Sequence, residues 1–267
     1  MRSRFRSGLA VLLVGVALVA CSAGAGPSSS AGPSLTIYGA SSLKAALTKV
    51  QAAYAAAAPG TTLVISTDSS AALETKIEQG APADVFLSAD TTNPQRLVDK
   101  GLTSGGLTKF AGNLLTVIVP AGNPAGILTP ADLAKPGVKV IAAADSVAVT
   151  KYATMLVANL ALQPNYPAGF ASLYTANIVS KEDNVGAVVA KVELGEGDAA
   201  IVYVTDAKGS TKVSAVPVPA AANVPATYAG VAVKASTQGA AAAAFLAWLT
   251  GPDGQAVLAA LGFLPAP

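Results

Sequence analysis

The chain has 267 residues, 52% of them hydrophobic and 12% charged, enough to bury a substantial core in one large domain or two medium ones. It carries 17 Lys+Arg against 15 Asp+Glu, no His and one Cys. That composition excludes a disulfide framework, a thiolate metal cluster, the usual zinc sites and a Ser-His-Asp triad.

The first 20 residues read as a secretory signal rather than as part of a fold: Arg2, Arg4 and Arg6 form a basic start, and 9–20 is an apolar run. The run ends in Leu18-Val19-Ala20-Cys21, a pattern similar to a bacterial lipobox. Cys21 is then the lipidated new N-terminus, which puts the protein on the extracytoplasmic face of the cell membrane. The alternative is an ordinary signal followed by a free thiol. Removing 1–20 takes away three arginines and no acid, so 17 against 15 becomes 14 against 15, a net charge near −1. Nucleic-acid binding therefore has no electrostatic support. Residues 22–33 are only Ser, Ala, Gly and Pro, a flexible tether; no later stretch is long and apolar enough to span a membrane.

The folded part begins with a strand at 35–38, whose residues alternate apolar and polar, and a helix over 43–56 with Leu43, Leu47 and Val50 on one face. Ser41 and Ser42 fall between them. They either cap the helix or, with its free N–H groups and positive dipole end, hold an anion. A second strand at 62–66 leads through Asp68, Ser69 and Ser70 to a helix at 71–79, so hydroxyls again mark a strand-to-helix junction. Gly80, Ala81 and Pro82 end that helix before a third strand at 83–88 and a short helix at 93–100. This alternation builds a parallel sheet, and ligands bind such sheets beyond the carboxyl ends of the strands, where both serine pairs lie.

Strands follow at 114–119, 138–142, 199–204, 213–218 and 227–233, and helices at 149–160, 165–174, 185–194, 239–249 and 252–261, with a capped turn at Thr129-Pro130. The second α/β run repeats the pattern of the first, and the C-terminal segment is expected to return to the first lobe. Trp248 and Phe245, at i and i+3 on an apolar helix, read as core.

Three stretches carry a family resemblance: the run Lys76 to Asp90, containing Gly80-Ala81-Pro82-Ala83-Asp84-Val85-Phe86; the run Gly195-Glu196-Gly197-Asp198-Ala199-Ala200-Ile201-Val202-Tyr203; and the ending from Gly251-Pro252 to Gly262-Phe263. With them the chain resembles, over about 35–264, the molybdate-binding lipoproteins of bacterial ABC importers, within the periplasmic binding protein superfamily. The resemblance implies an α/β two-lobe fold of type II, each lobe a mostly parallel sheet flanked by helices, with a hinge of two crossing strands. It divides the chain into lobe 1 at 35–112 plus 227–267 and lobe 2 at 113–226, behind the signal at 1–20 and the tether at 21–34.

The function it implies is capture of molybdate or tungstate and delivery to a membrane permease, by a monomer that uses no cofactor and no metal apart from the oxyanion itself. The ligand contacts it implies are Ser42 with Ser41 beside it, Ser70 with Ser69 beside it, the Tyr203 hydroxyl, and backbone N–H groups at Val185 and near Val149. The chain departs from the family at Val147 to Lys151, where a Pro and a Gly are missing; Thr150 or Lys151 are the alternative donors there. It departs again at Asp68, which either turns away and caps the next helix or touches the metal of the oxyanion.

Rival readings are weaker on the residues. A hydrolase would need a serine beside Lys76 or Lys151. Amino-acid receptors clamp a carboxylate with Arg, and after residue 20 the only Arg is Arg96, in a polar helical stretch. Ferric receptors use paired tyrosines, and no two of the seven here are adjacent. Sulfate or phosphate remains the alternative ligand.

Overall fold

The computed structural model describes residues 32–267, which form one compact unit, Gly32–Pro267. The basic start, the apolar run, Cys21 and all but the end of the tether lie outside the described residues. Among the described residues no helix is long and apolar enough to cross a membrane.

Two mixed α/β lobes are present. The first sheet joins β1 (Ser34–Ala40), β2 (Thr62–Asp68), β3 (Val85–Ser88), β4 (Thr108–Asn113) and β10 (Ala226–Ala232) in the order β2-β1-β3-β10-β4. β1, β2 and β3 are parallel, joined through α1 (Lys44–Ala57) and α2 (Ser70–Glu78), while β10 runs antiparallel to both of its neighbours. The second sheet contains β5 (Leu115–Pro120), β6 (Val140–Ala143), β7 (Ile178–Glu182), β8 (Ala200–Tyr203) and β9 (Val213–Val216). β5 lies antiparallel between β8 and β9, and a parallel bridge from Val140 to Ala199 attaches the β6–β7 pair. In each lobe four strands run one way and one runs against them. The chain passes from the first sheet to the second at Leu114, between β4 and β5, and returns between β9 and β10. These are the two crossings that the family resemblance implies.

Apolar periodicity explains which faces are buried. On one side of the first sheet α1 sets Leu47, Val50 and Tyr54 against α8 (Gly239–Thr250) and α9 (Pro252–Ala260), where Tyr54 meets Phe245 and Trp248 edge-on at 5.1 and 5.0 Å. On the other side α2 and α3 (Thr92–Asp99) bury Leu73, Ile77 and Leu97 over Phe86 and Val231. The C-terminus returns to this lobe, Gly112 and Leu264 exchanging backbone hydrogen bonds.

α2 stops where Gly80 adopts φ +85° and the N–H groups of Gly80 and Ala81 close on Ile77 and Lys76, a conformation a Cβ would strain. Three elements were not anticipated: β4, which has no alternation and contains Gly112; β7, a half-buried strand that ends in Ser180, Lys181 and Glu182; and the five-residue α7 (Val204–Lys208). The helix expected from 165 starts only at Phe170, after Pro167 and the left-handed Gly169.

Candidate functional site

Five strand-to-helix junctions converge on one small cavity. β1 ends at Ala40 and a 3-10 turn, Ser41–Leu43, follows; β2 runs into α2; β6 leads into α4 (Ala148–Ala161); β7 leads into α6 (Val185–Glu193); β8 runs directly into α7. The cavity they line is small, about 10 Å³, and is bounded by Ser41, Ser42, Ser69, Ser70, Val149, Val185 and Tyr203, with Ala40, Ala89, Val147 and Ala148 between them. The two serine pairs come from the first lobe and the rest of the named donors from the second. No charged or amide side chain is among the lining residues.

The hydroxyls are arranged to donate inward. Ser70 Oγ accepts the N–H of Ala89 at 3.1 Å, and Ser69 Oγ caps α2 by accepting the N–H of Ala72. Ser42 Oγ accepts from the hydroxyl of Tyr228 at 3.1 Å. Each oxygen thus has a lone pair taken by the protein, and its proton is left for the cavity. Tyr203 is fully buried and its hydroxyl has no hydrogen-bond partner among the described residues. Such an orphan costs about 1–3 kcal/mol unless something in the cavity receives it. Burial above all pushes the Tyr203 hydroxyl well above its ordinary pKa of 10, and the neighbouring acidic groups add to this, so it is a donor at every physiological pH.

Backbone donors complete the ring. The first N–H groups of a helix have no intrahelical acceptor. α4 starts at the cavity with Val147 as its cap residue and no side-chain cap. α6 is capped on one N–H only, by Asn184 Oδ1 accepting from Ala187, so the N–H groups of Val185 and Gly186 stay outside that cap. Both helix starts add positive potential at the same point.

The residues expected at the site are brought together with one exception. Asp68 does not line the cavity: its carboxylate accepts the Ser69 N–H at 2.8 Å and pairs with Lys76 at 2.9 Å. The capping role expected for it falls to Ser69 instead. Thr150 turns its hydroxyl back onto the carbonyls of Ala143 and Ala144, and Lys151 reaches Thr92 of the other lobe, so neither replaces the Val149 backbone. Arg96 pairs with the buried Glu74 at 3.2 Å. Neither Lys76 nor Lys151 lines the cavity, so no Ser–Lys dyad forms there.

Two features escaped the sequence reading. Tyr152, Tyr203 and Tyr228, far apart in the chain, form an edge-on cluster with ring centroids 6.4 and 5.5 Å apart. Only Tyr203 of the three lines the cavity, and among the described residues no group of three or more His, Cys, Asp or Glu is placed to hold a metal ion. Asn113 and Tyr228, behind Ser42, carry no motif by which the sequence marks them.

The chain is similar to known proteins over most of its length. The molybdate-binding protein ModA of Mycobacterium tuberculosis (strain ATCC 25618 / H37Rv) is 35% identical over 270 residues, covering 96% of each chain. The molybdate-binding protein ModA of Haemophilus influenzae is 32% identical over 252 residues, covering 90% of this chain and 94% of its own. A periplasmic molybdate-binding protein of Azotobacter vinelandii superposes with a TM-score of 0.74 at 26% identity, over 87% of this chain and all of that one. With the family model matching residues 35–264, the chain belongs to the bacterial extracellular solute-binding proteins.

Proposed function

We propose that this protein captures molybdate, or tungstate, between its two lobes outside the cytoplasm and delivers it to an ABC permease, without catalysing a reaction. The observation that carries the reading is the buried, unpartnered Tyr203 hydroxyl in a cavity whose lining offers donors and no carboxylate. An oxyanion that is fully ionised at neutral pH can accept from every group in such a site. An anion that retains a proton, such as phosphate, would find no carboxylate or amide acceptor among the lining side chains, only hydroxyl oxygens. Sulfate carries the same charge and shape, so its rejection rests on cavity size. The relatives at 35% and 32% identity, both molybdate-binding proteins, support the same ligand.

In this reading Ser42 and Ser70, from a lobe comprising 35–112 and 227–267, and Val149, Val185 and Tyr203, from a lobe comprising 113–226, hold the ligand, with Ser41 and Ser69 as neighbours. Because the contacts are split, binding favours lobe closure. Residues 1–20 direct export, and Cys21 anchors the protein, a monomer, to the membrane by its lipid.

Calorimetric titration of residues 22–267, which contain the compact unit Gly32–Pro267, tests this. One-site binding of molybdate or tungstate that excess sulfate and phosphate fail to displace is the expected result. Silence towards all four anions would overturn the reading.

A further inference from the structure

The direction of the Ser42 hydroxyl is set by a chain of groups that starts at the crossing between the lobes. Asn113 is the last residue of β4 and is fully buried. Its Oδ1 accepts the backbone N–H of Leu114 at 2.9 Å, which fixes the other end of the amide as Nδ2. That NH₂ donates to Thr205 Oγ1 at 2.8 Å and to the Tyr228 hydroxyl at 3.3 Å. The Tyr228 oxygen therefore accepts a hydrogen bond from Asn113, and its own hydroxyl donates to Ser42 Oγ at 3.1 Å. Burial first, then the Asp206 charge, holds the Tyr228 hydroxyl well above its ordinary pKa, so it keeps that proton. Ser42 makes no other side-chain hydrogen bond among the described residues and lines the cavity, so its proton is left facing the ligand.

From this polarity we infer that Tyr228, oriented by Asn113, is a positioning and specificity-determining residue that locks Ser42 as a donor to the bound oxyanion and so helps reject anions that carry a proton. The inference rests on the oxyanion reading. An amide cannot accept through its NH₂, so the chain of bonds has one direction, and each donor polarises the next. Without the phenol hydroxyl Ser42 turns freely and is able to accept a hydrogen bond from a ligand as well as to donate one.

The test is a double-mutant cycle read by titration calorimetry on wild type, Tyr228→Phe, Ser42→Ala and the double variant, with phosphate as competitor against molybdate. Tyr228→Phe keeps the ring that packs edge-on against Phe110, Tyr203 and Phe263 at 6.1, 5.5 and 5.5 Å. The expected result is a roughly tenfold weaker hold on molybdate in Tyr228→Phe, and no further loss when Tyr228→Phe is added to Ser42→Ala. The phosphate concentration that displaces half the molybdate should fall by more than the affinity loss alone requires. Wild-type affinity and unchanged phosphate rejection in Tyr228→Phe, or losses that simply add in the double variant, would overturn the inference and leave the oxyanion reading standing. A wild-type protein that ignores molybdate would overturn both.

Discussion

The carboxyl of Asp206 accepts a hydrogen bond from the backbone N–H of Tyr203 at 3.1 Å, so the residue whose hydroxyl faces the cavity is held at its other end by an acid. Asp206 stands at the third position of α7, immediately after β8, and this bond fixes the turn that aims Tyr203. Burial pushes the Asp206 pKa from 3.8 up to about 7, against a smaller downward pull from the Tyr203 N–H.

That shift has a defined effect on stability. Between the unfolded value near 3.8 and the folded value near 7, the folded state holds a proton that the unfolded chain has released. Stability contributed by this group therefore falls as pH rises through that window and is level above it. Asp206→Asn keeps an acceptor for Tyr203 but removes the ionisation. The variant should gain on the order of 2 kcal/mol over wild type at pH 8 and little at pH 4. Chemical denaturation at both pH values checks this; parallel wild-type and variant profiles would contradict it.

Tyr203→Phe separates binding from folding. It removes a donor to a charged ligand, worth roughly 10- to 100-fold in affinity. It also removes a buried hydroxyl that has no partner in the chain, so the unliganded thermal midpoint should hold or rise. Calorimetry and unliganded thermal melts read the two effects, and a lowered midpoint would mean that the hydroxyl serves the fold.

Gly186 lies where α6 meets the 3-10 turn of the opposite lobe. A Cβ there would stand 3.2 Å from Asn184 Oδ1 and 3.8 Å from the Cβ of Ser41. A methyl group nearly fits, but a longer side chain would hold the two lobes apart. Gly186→Leu should weaken the ligand by about tenfold or more, by the cost of overpacking, while the unliganded melting curve stays close to wild type. Unaltered affinity would show that this contact does not limit closure.

Gly254 serves stability alone. A Cβ at this position of α9 would lie 2.5 Å from the Trp248 carbonyl oxygen and 2.6 Å from the Leu249 Cα, both backbone atoms of α8 that cannot swing aside. Gly254→Ala should cost about 2–3 kcal/mol and lower the midpoint by roughly 5–10 °C. Ligand affinity at a temperature where the variant is folded should not change, since the site is built from other elements.

The residues that line the cavity were legible because they sit at junctions with a local signature. Ser41 and Ser42 follow a strand and open a helical run, Ser69 and Ser70 repeat the arrangement, and Asn184 caps the helix that starts at Val185. Alternating and helical apolar spacing likewise exposed the two α/β runs. Asp68 misled for the same local reason. It stands one residue before the true cap, and only the fold shows its carboxylate turned to the Ser69 N–H and Lys76.

The sequence by itself determined the α/β alternation, the family and the hydroxyl-rich junctions, because each is written in neighbouring residues and short periods. Only the tertiary structure decided what lies behind those hydroxyls. Tyr228 meets Ser42 across 186 positions of chain, and Asn113 meets Tyr228 across 115. Such contacts depend on where β10 returns between β3 and β4, and no local pattern encodes that pairing. The direction of a hydroxyl proton, and with it the kind of anion a site accepts, depends on partners that only folding brings within about 3 Å.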